Sequence, residues 1–363
     1  MKICHISTVH PEHDSRIRKQ CKTLIESGHE VALIIQSDEC KQEDGLSIYP
    51  LKSYKNRLLR MTLGVYSALK LSLKINGDCY HFHDPELIPI GLLLKINRKK
   101  VVYDIHEDVP KQIIDKNWIL PLFRVLVSAT FKIFEDFAVR FFDGTISATP
   151  SICSRFKKIN SNSISIHNFP DLSKDNLDFK RPSESDQLRL LYVGAITRER
   201  GILTILDSIV DIDCILELGG NFEDDRLYSE CLHHNSWEKV NYHGYIDREK
   251  YFEILKVSDI GLVIFHPISN HIEAMPNKIF DYMSVGLPVL CSNFNLWVEI
   301  VEKNETGYCV DPQSILSIRN GIQFLASKPD LMEAYSKNAI KISKSKYNWE
   351  IEAVKLIEFY RCF

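Results

Sequence analysis

Short apolar runs alternate along this chain with longer stretches whose apolar residues recur at helical spacing, a rhythm that predicts parallel α/β layers. Residues 2–8 read as a buried strand, followed by a loop, His10-Pro11-Glu12-His13-Asp14. Asp14 is placed to N-cap a helix that carries Ile17, Cys21, Leu24 and Ile25 on one face and ends at Gly28. Strands are then expected at Val31–Ile35, Asp78–His81, Lys100–Ile105, Gly144–Ala148 and Ser163–His167. The polar stretch Asp171 to Gln187 breaks the rhythm and reads as a linker. A second series follows: strand Arg189–Val193, a helix near 200–210, strands Cys214–Leu218, Val240–Tyr242 and Ile260–Phe265, a helix over 277–285, strand Pro288–Cys291, and helices to the end. The pattern predicts two doubly wound domains, 1–170 and 188–345, joined by 171–187. Ligands of such sheets bind beyond the carboxyl ends of the strands, so a crevice between the domains is the expected site.

Composition narrows the class. The 363 residues exceed what one ordinary core accommodates, and 45% hydrophobic with 26% charged side chains are values of a soluble globular protein. A membrane span needs roughly 18 uninterrupted apolar residues, whereas Leu87 to Leu94 stops at Lys95. The N-terminus alternates like a strand and lacks the apolar stretch of a signal peptide. The ten cysteines show neither CxxC pairs nor zinc-type spacing and read as reduced thiols of a cytosolic protein. Charge is uneven: residues 1–180 hold 26 Lys+Arg against 21 Asp+Glu, and the remainder 19 against 27. The basic excess concentrates in 51–100, where Arg57, Arg60, Lys70 and Lys74 intersperse with Leu58, Leu59, Met61, Leu63, Tyr66 and Leu69. A second apolar, basic segment runs from Trp118 to Phe142. Such segments suit an anionic membrane interface or packing against the sheet.

The most informative run is Glu273-Ala-Met-Pro-Asn-Lys-Ile-Phe-Asp281. On one regular helix, residues eight apart lie about 2.2 turns apart and share a face. Pro276 changes this, because it favours the helix start and keeps the preceding residue out of helical geometry. Glu273 is therefore placed in the approach loop and Asp281 inside the helix. The first-turn N–H groups at Asn277 and Lys278 suit a diphosphate, and Asp281 can accept hydrogen bonds from vicinal ribose hydroxyls. An ordinary helix with solvent-facing acids is the alternative.

The segment Glu273 through Val289 resembles the E-x7-E region of family-4 retaining glycosyltransferases with the GT-B fold. The resemblance implies that Glu273 lies by the donor sugar and that Asp281, aspartate where glutamate is usual, holds the nucleotide ribose. Its Pro-Asn-Lys form recurs in bacterial polysaccharide enzymes of that family. Leu191-Tyr-Val-Gly-Ala-Ile-Thr-Arg-Glu-Arg-Gly201 resembles the strand and loop that open the family's nucleotide-sugar domain. There Arg200 matches the second of two basic positions gripping the diphosphate; the first is Ala195, with Arg198 a candidate substitute. The resemblance also implies an acceptor-side domain over 1–170, with a C-terminal helix at about 346–363 packing back on it, and a nucleotide-sugar domain over 188–345.

Histidines follow strand-like runs in Tyr80-His-Phe-His-Asp-Pro85 and Val101-Val-Tyr-Asp-Ile-His-Glu-Asp108. His106 resembles the family's catalytic-site histidine; Glu107 and Asp108 are candidates to orient it or to bind acceptor hydroxyls, and His81 and His83 are weaker candidates flanking a loop. Arg16, in the first helical turn, is a further cleft candidate, with a surface pair to Glu12 as its alternative. The implied reaction moves a sugar from a nucleotide diphosphate sugar to a saccharide or lipid-linked saccharide with retention, in bacterial capsule, exopolysaccharide or O-antigen synthesis. It needs neither metal nor cofactor, involves no nucleic acid, and belongs in the cytoplasm at the inner face of the membrane, in contact with anionic lipid. A sugar-nucleotide epimerase and a non-catalytic nucleotide-sugar-binding subunit are the rival readings. The absence of GxGxxG after the first strand argues against a dinucleotide oxidoreductase.

Overall fold

Val31 to Ile35 is buried at every position, and a run with no in–out alternation belongs in a parallel sheet covered on both faces. The computed structural model describes residues 1–115, 120–173 and 187–363. The chain divides into two units, Met1–Asn168 with Glu350–Phe363, and Phe169–Trp349. The first holds β1 (Lys2–Pro11), β2 (Glu30–Gln36), β3 (Lys41–Glu43), β4 (Leu46–Leu51), β5 (Cys79–Phe82), β6 (Lys100–Ile105), β7 (Gly144–Ser147) and β8 (Ser163–Ser165). Their spatial order is β3-β4-β2-β1-β5-β6-β7-β8, parallel apart from the antiparallel edge pair β3–β4. The second holds β9 (Leu188–Val193), β10 (Cys214–Gly219), β11 (Val240–Gly244), β12 (Ile260–Val263), β13 (Val289–Ser292) and β14 (Gly307–Val310), in the order β11-β10-β9-β12-β13-β14. All its paired strands are parallel.

The expected α/β class with two parallel-sheet domains is therefore observed. In each sheet the chain order reverses beside one central strand, β1 in the first and β9 in the second. Loops leaving such switch-point strands are where ligands bind in open α/β sheets. Leu190, Leu216, Leu262 and Leu290 pack the second sheet on one face and Leu191, Val263, Val289 and Cys291 on the other, as helices on both sides require.

Several boundaries differ from the expectation. β1 runs on to Pro11, absorbing part of the expected loop, with a register break between Ile6 and Pro11 in its pairing with β2. Asp14 does cap the helix Ser15–Glu26, its side chain accepting from the Ile17 N–H. The expectation lacks β3, β4 and β14: β3, at the sheet edge, has no apolar residue, and β14 is only four residues long. Of the stretch Asp171–Gln187, residues 174–186 lie outside the described residues, as does Trp118. No helix among the described residues is long and apolar enough to cross a membrane.

Candidate active site

In the second unit, the loop after β9 is stripped of side chains where the sheet switches. Gly194 has φ +131° and Gly220, after β10, φ +132°. A Cβ on Gly220 would lie 1.9 Å from the Gly194 carbonyl oxygen, so only glycine allows the two loops to meet. A Cβ at Gly194 would lie 3.3 Å from Lys278 Nζ and 3.9 Å from Arg200 Nη1. Two cations thus converge on an open stretch of backbone. Lys278 is 9% exposed, its Nζ is 3.9 Å from the Tyr192 ring centre and 5.2 Å from that of Phe265, and it has no hydrogen-bond partner. The Arg200 guanidinium lies 5.2 Å from the same Phe265 ring. Burial, and then the Arg200 charge, hold the Lys278 pKa well below the usual lysine range, against the opposing pull of Asp281. A buried lysine beside a guanidinium, resting on aromatic faces and without a hydrogen-bond partner, is an arrangement that an anion completes.

Pro276 (φ −63°, ψ 127°) precedes the helix Asn277–Ser284. Asn277 is exposed at its first position, and the early N–H groups there lack intrahelical acceptors. Glu273 is an exposed residue after the short helix Ser269–Ile272. The turn is pinned by the buried Trp297, whose indole N–H donates to the Ala274 carbonyl at 2.8 Å. Asp281 is half-buried inside the helix and hydrogen-bonded to the Tyr251 hydroxyl, whose pKa is raised by burial and then by this carboxylate. Arg198 is not part of this cluster: it pairs with Glu230 on the surface. Ala195 is neutral, its carbonyl accepting from the Tyr192 hydroxyl at 2.8 Å.

In the first unit the sequence-based candidates sort differently. Arg16 is neither a cleft residue nor a partner of Glu12, which pairs with Lys41. It is 4% exposed, bonds both Asp104 oxygens at 3.0 and 2.7 Å, and donates its remaining terminal nitrogen to the Ile166 carbonyl. Each of its three nitrogens donates to a protein acceptor, which ties the side chain into the interior of the unit. His81 and His83 do not flank an open loop, being fully or almost fully buried. His106 keeps partial exposure, and its Nε2 faces His83 Nδ1 at 3.2 Å. Neither Glu107 nor Asp108 contacts it among the described residues: Glu107 is exposed, and Asp108 faces Arg155 at 3.6 Å and Lys111 at 3.8 Å. Orientation of His106 comes instead from His83 and Asp104, which the sequence reading did not assign that role.

The His10 ring lies tilted at 51° beside His106, with ring centres 4.5 Å apart, and its Nδ1 is 2.9 Å from Asp14. Asp84 accepts from the Ser7 hydroxyl and the Thr8 N–H. Two groups of three side chains among the described residues are close enough to share a metal ion: His5, His81 and His83, and His83, Asp104 and His106. Tyr192 and Phe265, the faces under Lys278, carried no sequence signal, since apolar strand residues are ordinarily core.

Residues 173–342, just under half of the chain, match the model of the family described as glycosyl transferases group 1. An uncharacterized glycosyltransferase of Methanocaldococcus jannaschii is 23% identical over 197 residues, 52% of this chain and 49% of that protein; the match therefore spans about half of the relative's length. In structure the chain is similar to sucrose-phosphate synthase from Thermosynechococcus elongatus, with TM-score 0.81 and 18% identity over 99% and 98% of the two chains. It is also similar to Anabaena HepE solved with UDP-glucose, with TM-score 0.76 and 14% identity over both whole chains. The structural likenesses show the GT-B fold.

Proposed function

We propose that this chain transfers a glycosyl group from a nucleoside diphosphate sugar to an acceptor hydroxyl, with retention of anomeric configuration. The observation that carries this reading is the pair Lys278 and Arg200 beside Gly194, in which the buried Lys278 Nζ has no hydrogen-bond partner. In the assigned roles, Lys278, Arg200 and the N–H groups at Asn277 and Lys278 hold the diphosphate, Asp281 the ribose, and Glu273 the sugar. His106 is assigned a part in transfer from its resemblance to the family's catalytic-site histidine. The bond from the anomeric carbon to the β-phosphate oxygen breaks as a bond to the acceptor oxygen forms on the same face, and the acceptor proton passes to the departing diphosphate. The two cations stabilise the charge that develops on that leaving group. Since HepE holds UDP-glucose, a uridine diphosphate sugar is the first donor to test.

Surface chemistry supports an acceptor in or on a membrane, as in surface polysaccharide assembly. Leu58, Leu63, Tyr66 and Leu73 on the Arg57–Ile75 segment, and Val125, Leu126, Ile133 and Phe137 on the helix Pro121–Val139, are between 49% and 73% exposed. Neighbouring basic residues include Arg57, Lys70, Lys74 and Arg124, the combination that binds anionic lipid.

The decisive experiment is turnover of UDP-sugars against saccharide and lipid-linked acceptors, with wild type beside Glu273→Ala and Arg200→Ala. Loss of transfer in both variants, with unchanged circular dichroism, is expected. Wild-type turnover in both sinks the site assignment, and release of an isomerised sugar nucleotide without acceptor establishes an epimerase instead. Salt-sensitive sedimentation with phosphatidylglycerol vesicles is the expected lipid result; indifference to lipid charge removes that part of the reading.

A further inference from the structure

Four imidazoles, of His5, His81, His83 and His106, gather around the single carboxylate Asp104, from the middle of β1 and the ends of β5 and β6. His5 Nδ1 lies 3.0 Å from His83 Nε2. His83 Nδ1 lies 3.2 Å from His106 Nε2 and 3.3 Å from an Asp104 oxygen. Burial lowers the pKa values of His5 and His83 well below the ordinary histidine range, so each ring has one N–H to place. A proton on His83 Nε2 would leave the Nδ1 lone pair facing the Asp104 carboxylate. It would also force the His5 proton onto Nε2, a buried nitrogen without a hydrogen-bond partner, and orphaned buried N–H groups are rare and costly.

The other arrangement removes the orphaned His5 N–H and moves the lone pair that faces Asp104 from the 3.3 Å contact to the longer one, His106 Nε2 at 3.6 Å. His5 Nδ1–H donates to His83 Nε2, and His83 Nδ1–H points toward His106 and Asp104. His106 Nε2 is then bare, because two N–H hydrogens cannot face each other across 3.2 Å. Its proton must sit on Nδ1, which makes no hydrogen bond among the described residues, on a side chain that is 18% exposed. Asp104 is itself fixed by Arg16 and by the Gln20 amide at 2.8 Å, so the carboxylate that His83 Nδ1–H faces stays in place.

We propose that His83 is a positioning residue which, with Asp104, holds His106 as the Nδ1–H tautomer and presents an oriented N–H donor to a hydroxyl or phosphoryl oxygen of the substrate. The use made of that donor rests on the glycosyl-transfer reading; the tautomer does not. The separations of 3.2, 3.3 and 3.6 Å among His83, Asp104 and His106 would also suit three ligands of a small divalent ion. Two facts favour the hydrogen-bonded array. The Asp104 oxygen nearest the rings already accepts from Arg16 Nε and Gln20 Nε2. The Arg16 charge already neutralises Asp104, so a dication would add uncompensated buried charge.

The test is long-range ¹H–¹⁵N correlation of histidine-labelled, full-length protein, with His83→Leu and His83→Gln. Wild type is expected to show a pyrrole-like Nδ1 and a pyridine-like Nε2 on His106. His83→Leu should mix the tautomers and lower kcat about tenfold with little change in donor KM, the size of one lost hydrogen bond. His83→Gln, whose amide can donate to His106 Nε2, should restore the tautomer and most of the rate. A protonated His106 Nε2 in wild type overturns the inference, as does a stoichiometric Zn²⁺ that His83→Leu removes. If His106→Ala turns over like wild type while the tautomer result stands, the transfer role assigned to His106 fails and the tautomer assignment survives.

Discussion

Two charged clusters sit beyond the switch-point strands of the two sheets, and they are finished to different degrees. Around Asp104 in the first unit, each charge has a protein partner: Arg16 and Gln20 bind the carboxylate, His10 binds Asp14, and Ser7 with Thr8 binds Asp84. Around Gly194 in the second unit, Lys278 Nζ has no hydrogen-bond partner and converges with the Arg200 guanidinium on the same glycine. A closed network positions side chains, whereas an open one is completed by a ligand. The first cluster therefore acts through geometry, holding His106, and the second through charge.

The largest effect should come from opening the closed cluster. Arg16→Met strands the buried Asp104 carboxylate and should cost about 3–5 kcal/mol of stability, the range for breaking one side of a buried ion pair. Urea unfolding checks this; a change below about 1 kcal/mol would mean that Asp104 finds solvent and the network is not closed.

Lys278→Met should do the reverse: leave stability equal or raised, by removing a buried charge, and weaken UDP binding by about 1.5–3 kcal/mol, roughly 10- to 150-fold. The same site predicts a proton signature. Burial and Arg200 lower the Lys278 pKa in the free protein, and a bound diphosphate raises it again. At pH values between the two, binding takes up a proton, so affinity falls as pH rises through the free-state value. Calorimetry in buffers of different ionisation enthalpy measures the uptake; uptake that persists in Lys278→Met would assign it to another group.

The sequence revealed more of the second cluster than of the first, for a physical reason. Pro276 fixes a helix start, and the spacing from Glu273 to Asp281 then puts one acid before the helix and one within it, a local consequence of backbone rules. Gly194 and Arg200 likewise lie within one short loop. The first cluster instead joins Arg16, His83 and the pair Asp104 and His106 from three separate segments, through strand order β2-β1-β5-β6 that no local pattern specifies. Arg16 illustrates the cost: at the start of an exposed-looking helix it reads as a surface or cleft residue, and only the sheet order brings it to Asp104. Where the sequence carried an empty position, Ala195, the structure supplies a cation from elsewhere, since Lys278 approaches Gly194 from a different helix.

The smallest expected effect lies at the rim of the closed cluster and measures how far its closure extends. Burial opposes charging of His10, but its hydrogen bond to Asp14 and the fields of Asp84, Asp14 and Asp104 outweigh this and raise its pKa. Burial likewise opposes ionisation of Asp14, but bonds from His10 and the Ile17 N–H hold its carboxyl well below the usual range. The signs are opposite. The His10 contribution is complete below the ordinary histidine pKa of about 6.5 and fades as pH rises through the raised folded value. The Asp14 contribution is complete above the ordinary carboxylate pKa of about 3.9 and fades as pH falls toward the lowered one. Together they stabilise the fold most between those limits. His10→Asn keeps a donor near Asp14 but removes the charge, so the decline of Tm above neutral pH should become shallower than in wild type. An unchanged slope would show that His10 is not charged in the folded protein, and that the closed network ends at Asp104.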